Sequence, residues 1–175
     1  MKKVTILGLA TVNFPLEGEI WTVNDGYKLI DYDAVITKLF VMHKQVKRSN
    51  GEPYFNWEEM REYADKYEFE IIALHNIPIE KTKYPYQEIV DYFSTDYFTS
   101  TFCYMIAYAM FEGFTGITFT GINFFQGVSD TRDDLLERCG LEYWIGRAEQ
   151  AGITVTIDGG NLLTTRTGEP YAING

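Results

Sequence analysis

Six short apolar runs alternate with helix-length segments along this chain, and that alternation narrows its folding options more than any other feature. The runs are Lys3 to Gly8 (KVTILG), Glu19 to Val23 (EIWTV), Thr37 to Met42 (TKLFVM), Glu68 to Leu74 (EFEIIAL), Gly116 to Gly121 (GITFTG) and Ile153 to Ile157 (ITVTI). Each has the length of a buried strand. Runs this apolar leave no wet face for an antiparallel meander, so the expected fold is α/β with a mainly parallel sheet of about six strands. At 175 residues the chain fits one domain over 1–175, large enough to build a core without disulfide or metal staples.

The intervening segments carry helical spacing. Asn56 is placed to cap a helix with Trp57, Met60, Tyr63, Ala64 and Tyr67 on the face toward the sheet and Glu58 and Glu59 in its first turn. Thr99 or Ser100 opens a second helix, apolar almost all round through Phe111 and stopped by Gly113, which marks it as central and buried. Thr131 to Gln150 forms the last, with Leu135, Leu136, Leu141, Tyr143, Trp144, Ile145 and Ala148 as its apolar set and Gly152 as its stop. Residues 44–55 and 124–131 read as loops.

Composition removes several classes of function. A formal charge of −10 opposes a nucleic-acid surface, and the densest basic stretch, Lys44 to Arg48 (KQVKR), reads as a solvated loop. The start, MKKVTILGLATVNF, resembles a signal peptide, but Thr5, Gly8 and Thr11 interrupt its apolar run, so it reads as the first strand. No run reaches membrane-spanning length. Cys103 and Cys139 show no zinc spacing and read as buried thiols of a cytoplasmic protein.

In open α/β sheets ligands bind beyond the carboxyl ends of the strands. The residues standing there are Gly8 to Asn13, Asn24 to Gly26, His43, His75 with Asn76, and Asn123 to Gln126. Gly8-Leu9-Ala10-Thr11 is not a GxGxxG fingerprint, and no P-loop, GxSxG or HExxH occurs. His43 and His75 are the candidate proton-transfer groups, because imidazole titrates nearest neutrality. Asp31-Tyr32-Asp33 spells DxD, yet it precedes a strand and reads as the close of a helix or turn, so no metal is expected. Thr99-Ser100 forms the strongest feature: free N–H groups and the positive end of a helix dipole receive anions such as phosphate.

From Tyr97 to Gln126 (YFTSTFCYMIAYAMFEGFTGITFTGINFFQ) the chain resembles the core of the bacterial sialyltransferases that use CMP-sialic acid without a metal. It is similar also to a wider set with this core, the pterin pyrophosphokinase and motility-accessory groups and small phage proteins. Thr99-Ser100, Gly113 and Gly121-Ile122-Asn123-Phe124-Phe125 occupy the places of the transferases' motifs, and Asn24 that of their nucleotide-facing Asn. The resemblance implies a Rossmann-like three-layer domain and a nucleotide or nucleotide-sugar partner; no cofactor, nucleic acid or membrane is expected. Gly8, Asn24, Thr99, Ser100, Asn123 and Phe125 would bind the ligand, and His43 or His75 would act in catalysis. Departures are as plain: Asn123 replaces the family's Asp, Phe125 its Tyr, the first loop differs, and no His follows His75. Three readings stand open: a transferase-type protein, a binder that sequesters a nucleotide or signalling molecule, and an interaction protein with a vestigial cleft. Self-association is likewise open.

Overall fold

The strands appear where the apolar runs lie, in a computed structural model that describes residues 1–10, 16–32, 35–45, 47, 51–79, 81–123 and 132–158. For residues 31, 32, 133 and 134 the backbone alone is described. β1 spans Lys3–Leu7, β2 Glu19–Val23, β3 Lys38–Val41, β4 Glu70–Ala73, β5 Thr82–Lys83, β6 Gly116–Thr120 and β7 Thr154–Asp158. All neighbours pair in parallel, in the order β5-β4-β3-β2-β1-β6-β7. Among the described residues the sheet thus has seven strands, the addition being the two-residue edge strand β5, which has no apolar pattern to announce it.

Among the described residues four α-helices accompany the sheet: α1 (Trp57–Tyr67), α2 (Tyr86–Phe93), α3 (Thr101–Phe111) and α4 (Arg132–Gln150). A 3₁₀ helix, Asn24–Tyr32, follows β2 and closes at the first two residues of the DxD; Asp33 lies outside the described residues. Asn56 caps α1, its Oδ1 accepting from the Glu59 N–H at 3.3 Å. Of that helix's expected inner face, Met60 is buried, whereas Tyr67 is exposed. None of the described helices is long and apolar enough to cross a membrane.

Two cores sandwich the sheet. On one face α2, α3 and α4 bury Ile89, Phe93, Met105, Ile106, Leu141, Trp144 and Ile145 against Val4, Ile6, Trp21, Phe40, Ile117 and Phe119. On the other, α1 and the 3₁₀ helix cover Leu7, Ile20, Leu39, Val41 and Ile71 with Tyr27 and Met60. This second face turns polar toward β6 and β7, where register aligns Thr5, Thr118 and Thr156 side by side. Among the described residues those threonines line an open depression of about 370 Å³, a wet face that the apolar runs did not foretell.

α3 is the central helix. It crosses β1, β2 and β3 and meets both α2 and α4. Seven of its eleven residues are buried, which explains the lack of a polar side in its sequence. α4 differs from expectation at its start, where Leu135 and Leu136 are exposed, as is the Cys139 thiol; only Cys103 is buried.

The close approach of α4 to Thr99, two residues before α3, depends on Gly140, since a Cβ there would run into the Thr99 hydroxyl. Gly146, six residues on, has open space around it. Gly140→Ala and Gly146→Ala should therefore act in opposite directions. Gly146→Ala gains about 1 kcal/mol of helix propensity, whereas at Gly140 an overpacking cost of about 1–3 kcal/mol outweighs that gain. Urea midpoints of the two variants check this, and a stabilised Gly140→Ala protein would show that the α3–α4 contact yields freely.

Candidate functional site

Ser100 stands at the N-cap of α3 in an extended conformation (φ −152°, ψ 165°), yet its hydroxyl does not cap the helix. It turns to the Cys103 thiol at 3.4 Å, a weak partner. Thr99 is differently engaged: its Oγ1 donates to the Glu137 carbonyl of α4 at 3.4 Å and sits 3.6 Å from the same sulfur. Thr99 thus ties the helix start to α4, while the N–H groups of the first turn of α3 keep no side-chain cap from Ser100. That turn remains able to receive an anion.

Aromatic packing holds this helix start in place. The Trp144 indole N–H donates to the Tyr97 carbonyl at 2.8 Å. Phe98 stacks between Tyr104, at 4.4 Å between ring centroids, and Trp144, at 5.2 Å, both nearly parallel to it.

In front of the helix start the ends of β2, β3 and β4 frame a cleft of about 330 Å³. Asn24, His43 and His75 enter from the strand ends, and Thr99, Ser100 and Glu137 from the helical side. Five of the residues expected from sequence, Asn24, His43, His75, Thr99 and Ser100, are thereby brought together. Gly8 and Asn123 stand outside this lining, at the ends of the adjacent strands β1 and β6. Gly8 has a packing reason for being glycine: a Cβ would strike the Gly121 carbonyl, and its N–H already donates to Thr120 O at 2.9 Å. Phe124, Phe125 and Gln126 lie outside the described residues.

Asn24 is the most informative member. Its φ of 49° is left-handed, a conformation that Asn tolerates better than most residues and that begins the 3₁₀ helix. Its Oδ1 is buried and has no hydrogen-bond partner among the described residues. A buried acceptor left unpaired costs about 1–3 kcal/mol.

His75 is half-buried, and His43 is exposed. Burial, with further contributions from the Lys44 and His43 charges, lowers the His75 pKa below its ordinary value of 6.5. At neutral pH His75 is the uncharged imidazole, able to take a proton.

No family model matches this sequence, and no curated protein does. Among the solved structures that share its fold are two of the sialyltransferase CstII from Campylobacter jejuni. The complex with the substrate analogue cytidine-5'-monophosphate has a TM-score of 0.54 at 16% identity, covering 95% of this chain and 83% of the other. The complex with CMP-3FNeuAc has a TM-score of 0.50, again at 16% identity, covering 90% and 80%. At that identity the likeness is one of fold: a sialyltransferase-type α/β architecture running through nearly the whole chain.

The lowered pKa of His75 has a readable consequence. Because the folded value is the lower one, the unfolded chain binds the proton more readily. The stability contributed by neutral His75 is complete above pH 6.5 and is lost as pH falls through the folded value. An NMR titration of the imidazoles should place the His75 midpoint below 6.5, and Lys44→Ala should move it upward. A midpoint that ignores Lys44→Ala would leave burial and the His43 charge as the causes.

Proposed function

We propose that the cleft binds a nucleotide or nucleotide sugar, with its phosphate at the start of α3 and a ribose hydroxyl or base amino group donating to Asn24 Oδ1. The unpaired Asn24 oxygen carries this reading. It needs a hydrogen-bond donor, while the helix start beside it needs negative charge, and a phosphorylated nucleoside offers both within one small molecule. The sialyltransferase-type fold, in neighbours bound to cytidine-5'-monophosphate and CMP-3FNeuAc, supports the same class of ligand. Gly8, Asn123 and Phe125 would serve the same ligand from the neighbouring strand ends.

Transfer chemistry is favoured over plain sequestration by the neutral His75 in the same cleft. In that chemistry an acceptor hydroxyl gives its proton to the imidazole and its oxygen bonds to the sugar carbon. The bond from that carbon to the phosphate oxygen breaks, and its electron pair leaves with the nucleotide. The N–H groups of α3 meet the charge that develops on the phosphate, the task that a metal ion performs elsewhere.

Two variants test the binding. Ser100→Ala removes a donor to a charged group, worth about 1.5–3 kcal/mol, so affinity for cytidine-5'-monophosphate should fall roughly tenfold or more. Asn24→Gly keeps the left-handed backbone and deletes the amide. The free protein should stay within about 1 kcal/mol of its original stability, while the nucleotide-induced rise in Tm shrinks. Calorimetric titration and thermal unfolding report both. Wild-type affinity in both folded variants would transfer the cleft to the vestigial reading. His75→Ala should lower turnover of a CMP-sugar about 100-fold with little change in nucleotide affinity; an equal loss in His43→Ala alone would assign the proton to His43.

A further inference from the structure

We infer that the threonine-lined depression on β1, β6 and β7 is a binding site for a planar, uncharged heterocycle that carries an amino group beside a ring nitrogen. The depression shares no lining residue with the cleft and does not rest on the nucleotide reading.

The way the sheet is covered gives the depression its place. On this side α1 and the 3₁₀ helix pack over β2, β3 and β4, whereas α4, which connects β6 to β7, packs on the opposite side. Among the described residues Leu16 and Glu17, between β1 and β2, border the space that remains. Its volume of about 370 Å³ lies at the lower end of the range of small-molecule sites.

Register lays out the floor in two rows. Thr5, Thr118 and Thr156 form one across β1, β6 and β7, and Leu7, Thr120 and Asp158 form the next. In the first row the Thr5 hydroxyl is committed, donating to the Glu17 carbonyl at 2.8 Å. At the border the Lys3 ammonium meets the Glu17 carboxylate at 2.8 Å, so that pair brings no net charge. Threonine sets a methyl beside a hydroxyl on one stiff carbon, and rows of it on a sheet make a flat floor. Such a floor suits the face of a ring.

The second row supplies the recognition. Thr120 is 2% exposed, yet its Oγ1 has no hydrogen-bond partner among the described residues. A hydroxyl so placed calls for one. Asp158 stands beside it in register, about 4.8 Å away across the parallel strands, and both line the depression. The hydroxyl has one hydrogen to donate. The carboxylate has about four lone-pair positions, so it can accept from a ligand while another group also holds it. A donor next to an acceptor at this spacing is complementary to a ring nitrogen that accepts next to an amino group that donates. Aminopyrimidines and aminopurines present that edge on a flat ring, whereas an anion would face the Asp158 charge.

The test uses the full chain with labelled threonine methyl groups, observed by NMR while cytosine, adenine and 2-aminopyrimidine are titrated separately. Pyrimidine, the same ring without the amino group, is the control. The expected result is a saturable shift of the Thr118, Thr120 and Thr156 methyls with at least one aminated ring, and binding of pyrimidine roughly fivefold or more weaker than that of 2-aminopyrimidine. Thr120→Val keeps the side-chain shape and removes the orphaned hydroxyl. It should raise the Tm of the free protein while weakening the aminated ring roughly fivefold or more. Asp158→Asn should weaken that ring as well, and decides the matter if Thr120→Val does not fold. No saturable shift with any of the three aminated rings overturns the inference, as does equal binding of pyrimidine or unchanged affinity in the folded variants. A lowered Tm in folded Thr120→Val would show a hydroxyl already satisfied and overturn it too. Shifts confined to His43 and His75 would send the ring to the cleft, against this inference and with the nucleotide reading intact.

Discussion

Phe98 held flat between Tyr104 and Trp144 is the contact on which the candidate site depends. The body of α3 is fixed by its burial against β1, β2 and β3, but burial of a helix that is apolar all round does not by itself decide where the chain enters it. The three-ring stack decides that, and the Trp144 indole adds a directional bond to the Tyr97 carbonyl. A shift of the stack would carry Ser100 away from the ends of β2, β3 and β4, because no residue separates it from Phe98 except Thr99. Thr99 is in turn locked against α4 through Glu137 and the bare backbone of Gly140. The polar site is thus positioned chiefly by apolar and aromatic groups behind it.

The division of labour between neighbouring residues follows from this. Thr99 and Ser100 look interchangeable as helix-cap hydroxyls, but one faces α4 and the other only a thiol. Among the described residues Asn24 and Thr120 both keep a buried side-chain oxygen unpaired, yet of the two Asn24 alone lies in the cleft between the strand ends and α3. Thr120 belongs instead to the threonine-lined face of β1, β6 and β7. An orphaned polar atom therefore gains functional meaning here from the groups that surround it.

Much of this architecture was legible in the chain because it depends on local chemistry. Apolar runs such as Ile71-Ile72-Ala73 and the Asn56 cap act over a few residues, and strand-end positions place Asn24, His43 and His75 on one edge once the sheet is parallel. What escaped depends on contacts distant in sequence or on missing punctuation. α2 begins after Pro85 with no side-chain cap, and β5 consists of Thr82 and Lys83 alone, so neither carries a start signal. Gly140 meeting Thr99 is likewise a tertiary event, as is the approach of Gly8 to the Gly121 backbone.

The strand order also has a consequence for synthesis. β1 is an interior strand, with β2 on one side and β6 on the other, and Lys3 pairs in register with Gly116. A nascent chain can lay β2, β3 and β4 beside β1 as they leave the ribosome, but the other flank of β1 stays open until β6 emerges. At typical elongation rates of about 5–20 residues per second that wait is on the order of ten seconds. The helix that covers the same strands, α3, immediately precedes β6 in the chain. Cover and partner therefore arrive together, so that release from the open state is one late step and a fragment ending before residue 101 would carry a bare strand flank with no means of closing it.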